Sequence, residues 1–160
     1  MGRLDVRIRP ARPGDLDGIV ELETAAFPPE DCFPRRSWRR LLTRPSAVVL
    51  VTAGPLDGSI AWLLRDGTTV ARMYSLAVHP RARGQGLGRQ LIAASLRRLP
   101  RHLDRLSLEV RRDNGPAVGL YCAVGFVETA RLRDYYGSGR HGIRMTARRD
   151  SVATMLHIRP

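Results

Sequence analysis

The chain has 160 residues and a formal net charge of +12, and all 27 of its basic residues are arginine. That length suits one domain with a sizeable core. No apolar run approaches the ~20 residues of a membrane span, and Met1–Asp5 lacks the apolar centre of a signal peptide. The two cysteines, Cys32 and Cys122, are far apart, and His79, His102, His141 and His157 are scattered. No metal site is expected, and a reduced, cytoplasmic setting is the default. The arginines run along the whole chain and form no single basic arm. A solvated basic surface with one local anion site accounts for them, although acidic partners, ribosomal RNA included, stay open.

In chain order, Val6–Arg9 alternates as a first strand and Pro10 closes it. Leu16, Ile19, Val20, Leu22 and Glu23 then follow helical spacing, and Phe27-Pro28-Pro29 breaks the helix. Arg36–Thr43 is a second amphipathic helix with Trp38, Leu41 and Leu42 inward. Ser46–Ala53 and Ser59–Arg65 are β-branched or apolar strands around a Gly54–Gly58 turn. Asp66-Gly67 then turns into a central strand, Thr69–Val78.

That strand ends at His79-Pro80 and gives way to Arg81-Ala82-Arg83-Gly84-Gln85-Gly86-Leu87-Gly88. A helix follows, with Leu87, Leu91, Ile92, Leu96 and Leu99 at spacings of three and four. Strand, glycine turn and helix in this order bare main-chain N–H groups at the positive end of a helix dipole. Glycine lets a ligand come close, and Arg81, Arg83 and Arg89 add charge, so the expected product is a phosphate or pyrophosphate cradle. The blander account is a glycine turn that only starts a helix. The spacing G-x-G-x-G misses the dinucleotide fingerprint, which would need glycine at Arg89. Without a lysine there is no P-loop.

Beyond a Pro100–His102 connector, Arg105–Arg111 is a strand, and Asn114 precedes a helix over Ala117–Ala123. Phe126–Leu132 and His141–Ala147 are the last strands. Arg148–Pro160 is a tail of uncertain order.

Arg83-x-x-Gly86-x-Gly88 resembles the R/Q-x-x-G-x-G/A signature of the GNAT N-acetyltransferase superfamily. Leu108-Glu109-Val110-Arg111, Asn114 and Ala117-x-x-Leu120-Tyr121-x-x-x-Gly125-Phe126 are similar to its ribosomal-protein alanine N-acetyltransferase subgroup. So are Glu23 with Ala26-Phe27, and the pair Tyr135-Tyr136. The resemblance implies a single α/β (α+β) GNAT domain over residues 1–147. Its mixed, mostly antiparallel sheet would have about seven strands, splayed at the acetyl-CoA site, with about four flanking helices.

The resemblance also implies roles. Leu76, Ala77 and Val78 would offer main-chain groups to the pantetheine and thioester of acetyl-CoA. Arg83, Gly84, Gln85, Gly86, Leu87, Gly88 and Arg89 would hold its pyrophosphate. Asn114 would touch the CoA arm, or serve only as a helix cap. Tyr121 would hydrogen-bond or protonate the departing thiolate, or simply pack in the core. Glu109 would be the general base, or an ordinary strand carboxylate paired with Arg111 or Arg105. Phe27, Tyr135 and Tyr136 would shape the acceptor pocket. Pro28–Pro34 departs from the subgroup's usual short tryptophan-serine step.

The implied activity is acetyl transfer to a primary amine, foremost a protein N-terminal α-amine. The alternatives are a lysine or small-molecule amine, or a basic RNA- or ribosome-binding domain without enzymatic activity.

Overall fold

The computed structural model describes residues 5–159. Met1–Leu4 and Pro160 lie outside them, and with them most of the expected leaderless start and the last residue of the tail. Seven strands form one sheet in the order β1-β2-β3-β4-β5-β7-β6. They are β1 (Ile8–Pro10), β2 (Ala47–Thr52), β3 (Gly58–Leu64), β4 (Val70–Val78), β5 (Arg105–Arg111), β6 (Val127–Leu132) and β7 (Gly142–Arg148). The helices are α1 (Leu16–Ala26), α2 (Arg35–Thr43), α3 (Leu87–Leu96), α4 (Gly115–Ala123) and α5 (Arg149–Met155). This is the expected mixed sheet, with five helices among the described residues where about four were expected. The chain divides into two compact units, the second made of Leu64–Met73 and the chain from Leu99 onward.

In the first unit, β1 and β2 are antiparallel, as are β2 and β3. Alternation sends Val49, Val51 and Ala61 to one face, where they pack with Leu16 and Ile19 of α1 and Trp38 and Leu41 of α2. The opposite face meets α3, because a Cβ on Gly58 would stand 2.9 Å from Leu91. Glycine there lets helix and strand approach closely. α1 stops at Ala26, before Pro28 and Pro29, which cannot supply helical N–H donors. β4 alternates strictly between half-exposed and buried residues.

In the second unit, β4 runs parallel to β5 over Val70–Met73 and Arg105–Leu108. β5 and β7 are antiparallel, with Glu109 opposite Arg144, and β7 pairs antiparallel with β6 across a bulge at Glu128–Ala130. Leu106, Leu108 and Val110 are buried, as are Ile143, Met145, Phe126 and Val152. The expected tail begins instead with α5. Val152 is fully buried, and Arg149 donates to the carbonyls of Leu99, Pro100 and Leu103. A buried apolar residue and an arginine fork dock this short helix. Neither stands out in a segment otherwise rich in polar and charged residues.

Candidate active site

The first unit carries the glycine turn. Arg81 pairs with Asp57 at 2.7 Å, and the Arg83 guanidinium donates to the carbonyls of Val78 and Ala26 at 3.3 and 3.0 Å. Arg83 therefore braces the turn. Its charge neutralises no carboxylate there. Gly84 and Gly86 have φ of +76° and +79°, a region where an L side chain is strained. Gly86 caps α3, and its carbonyl accepts from the amide of Gln90 at 3.1 Å. Among the described residues, the amides of Gly86–Arg89, at the opening of α3, donate to no acceptor. Amides left open at the start of a helix are placed to receive an anion. Leu76 and Val78 lie on the half-exposed face of β4, and Ala77 is buried.

Phe27 ends α1 in an extended conformation, with its amide on the carbonyl of Glu23 at 2.9 Å. The carboxylate of Glu23, 1 % exposed, accepts from the amide of Phe33 at 2.9 Å and from the Ser75 hydroxyl at 3.4 Å. Burial pushes its pKa upward, and the Phe33 N–H opposes that shift. Phe33 stacks on Tyr74, with ring centroids 4.1 Å apart. The proline-rich segment that departs from the subgroup pattern is thus tied down at both ends of its turn.

The second unit carries the remaining groups. Glu109 stands on the half-exposed face of β5, yet its side chain is only 8 % exposed. Its partners are Arg72 of β4, with Nε to Oε2 at 2.8 Å, and Arg144 of β7, with Nε to Oε1 at 3.4 Å. Arg111 pairs instead with Asp113. Arg72 also donates to the Tyr135 hydroxyl at 3.2 Å, tying the β6–β7 loop to the same group. Tyr135 and Tyr136 meet edge to face, and the Tyr136 ring lies where a Cβ on Gly142 would be 2.9 Å away.

Tyr121 is buried in α4 against Phe126, at 5.8 Å between centroids, and burial pushes its phenol pKa well up. It stays protonated at any ordinary pH. Asn114 caps α4 by accepting from the Ala117 amide at 3.2 Å. The capping role read from the sequence is therefore present.

Sequence reasoning missed Arg72 and Arg144. Their meeting with Glu109 depends on a register across β4, β5 and β7 that no local pattern reveals.

A strand that ends in a glycine turn, with open amides at the start of the next helix, is an arrangement suited to a phosphate group. The sequence profile of the Acetyltransferase (GNAT) family matches residues 16–126. The chain belongs to the GNAT acetyltransferase family, and it is an acyltransferase whose co-substrate is acetyl-CoA. An N-alpha-acetyltransferase of Sulfurisphaera tokodaii is 31 % identical over 157 residues, covering 89 % of this chain and 93 % of that protein. The N-alpha-acetyltransferase RimI of Mycobacterium tuberculosis is 33 % identical over 142 residues, with coverage of 86 % and 87 %. In fold, the chain is similar to the crystal structure of the ribosomal-protein-S18-alanine N-acetyltransferase from Escherichia coli. The TM-score is 0.78 at 24 % identity, over 89 % of this chain and 93 % of that one. The reading as a basic domain without enzymatic activity is thereby set aside. Among the described residues, no helix is long and apolar enough to cross a membrane.

Proposed function

We propose that the chain acetylates a protein N-terminal α-amine. The observation that carries this reading is the identity of 31–33 % to two N-alpha-acetyltransferases over most of both chains. Chemistry points the same way. An α-amine of pKa about 7.8 costs about 1.1 kcal/mol to deprotonate at pH 7, against about 4.6 kcal/mol for a lysine amine near 10.4. A single carboxylate suits the lighter task.

In this proposal the amides of Gly84–Arg89 grip the pyrophosphate of acetyl-CoA, Arg83 braces their turn, and Leu76–Val78 offer main-chain groups to the pantetheine. Asn114 adds a contact to the CoA arm. Phe27, Tyr135 and Tyr136 shape the acceptor pocket. The neutral amine nitrogen attacks the thioester carbonyl carbon, the C–S bond breaks, and the thiolate leaves. Glu109 takes the amine's proton through a water molecule. A carboxylate has about four lone-pair sites, and the two arginine donors occupy one on each oxygen, so a site on each is left for water. Tyr121, fully protonated, donates a hydrogen bond to the thiolate. With its pKa raised, complete proton transfer is more uphill than for an ordinary phenol. Positioning supplies most of the rate.

The test is acetyl-CoA consumption with peptides that differ only in their first two residues, beside free lysine and small amines. Peptides with a free α-amine are expected to be consumed and N-blocked peptides with internal lysines spared. The reverse pattern refutes the reading.

A further inference from the structure

The surface above Glu109 is built from arginine. The side chains of Arg72 and Arg144 are 44 % and 43 % exposed, while the carboxylate they share is 8 % exposed. An acceptor arriving on this face meets two guanidinium groups before it meets Glu109. The trio carries one net positive charge. The nearest further carboxylate along β5, Asp113, is taken by Arg111. Arg105 and Thr146 extend the same face by alternation, and neither brings a negative charge. An α-ammonium is therefore repelled here unless the acceptor brings an anion of its own.

Arg144 is the group equipped to take that anion. Only its Nε is engaged, and its two terminal nitrogens donate to nothing among the described residues. A guanidinium offers a planar fork that matches a carboxylate. The fork lies beside the carboxylate that Glu109 would present to the amine. In an extended peptide, the side chain of the second or third residue is about 4 to 7 Å along the chain from the first. That reach matches a carboxylate set on Arg144 while the amine lies over Glu109.

Resting on the α-amine reading above, we infer that the acceptor is an acidic N-terminus. An aspartate or glutamate at its second or third residue pairs with Arg144, and Arg72 adds to the field. The guanidinium pair selects the acceptor and Glu109 serves the amine.

The experiment measures kcat/KM for acetyl-CoA consumption with one peptide series. Alanine is fixed at the first residue, and glutamate, glutamine or lysine stands at the second or at the third. Wild type is expected to prefer glutamate over glutamine about two- to fivefold, chiefly through KM, with lysine the poorest, as for one partly shielded charge pair. The ratio shrinks at 0.5 M salt, and in Arg144→Gln it falls towards one. Equal kcat/KM for the glutamate and glutamine peptides in wild type overturns the inference and leaves the α-amine reading intact. A glutamate preference undiminished in Arg144→Gln also overturns it. If no peptide of any charge is acetylated, the α-amine reading fails and this inference falls with it.

Discussion

Among the described residues, Glu23 of one unit and Glu109 of the other are both strongly sheltered carboxylates, and the two are treated oppositely. Glu23, at the end of α1, is 1 % exposed and accepts from neutral donors, the Phe33 amide and the Ser75 hydroxyl among them. Glu109, on β5, is sheltered beneath two half-exposed guanidiniums. Burial without a cation raises the pKa of the first, so its work is to hold the Phe27–Pro34 segment in place. The second keeps two cations beside open solvent, where a charged acceptor can compete for them. Neutral partners make a brace, and charged partners at a surface make a recognition site.

The sharpest way to break this comparison is to neutralise both carboxylates. Glu109→Gln is expected to lower kcat by about 10²- to 10³-fold, the span of a lost general base, while acetyl-CoA affinity stays put. A kcat within about threefold of wild type would remove Glu109 from the chemistry. Glu23→Ala should act on the fold instead. It strands the Phe33 amide, and a buried donor left unmade costs about 1 to 3 kcal/mol. For a chain of this size that is a fall in Tm of about 2 to 12 °C. An unaltered Tm would show that the proline-rich segment holds itself.

The glycine cradle offers a third contrast, because it is built from main chain alone. Gly86→Ala puts a Cβ where nothing lies within 4 Å, so space is no obstacle, but it retains a φ of +79°. The left-handed conformation costs about 1 to 2 kcal/mol outside glycine. If the helix start relaxes to avoid that strain, CoA binding measured by calorimetry weakens by about tenfold. Unchanged binding would mean that the amides keep their aim without glycine.

These contrasts also explain what could be read in advance. The cradle is local: Gly84, Gly86 and the start of α3 lie within a few residues, and the chemistry of glycine fixes the conformation. The strands were legible for the same reason, with β5 falling on Arg105–Arg111 as expected. Glu109 was visible as a motif residue, but its partners were not. Arg72, Glu109 and Arg144 come from three strands, and their meeting depends on two registers, one parallel and one antiparallel. α5 escaped because its docking rests on Val152 and the long-range fork of Arg149. Short amphipathic spacing alone does not announce a helix of seven residues.

The smallest effect separates the two carboxylates by their response to pH. Glu23 has a raised pKa in the folded chain, so between the unfolded and folded values the folded state binds more protons than the unfolded one. Stability then falls as pH rises through that window, and the contribution of the protonated carboxyl is complete only below the unfolded value near 4.5. Glu23→Gln cannot ionise and loses this slope. The difference in Tm between wild type and Glu23→Gln should therefore move against the wild type as pH climbs above about 4.5. A difference that instead favours the wild type with rising pH would mean that the ionised carboxylate is the better-held form, and Glu23 would join Glu109 as a charged site.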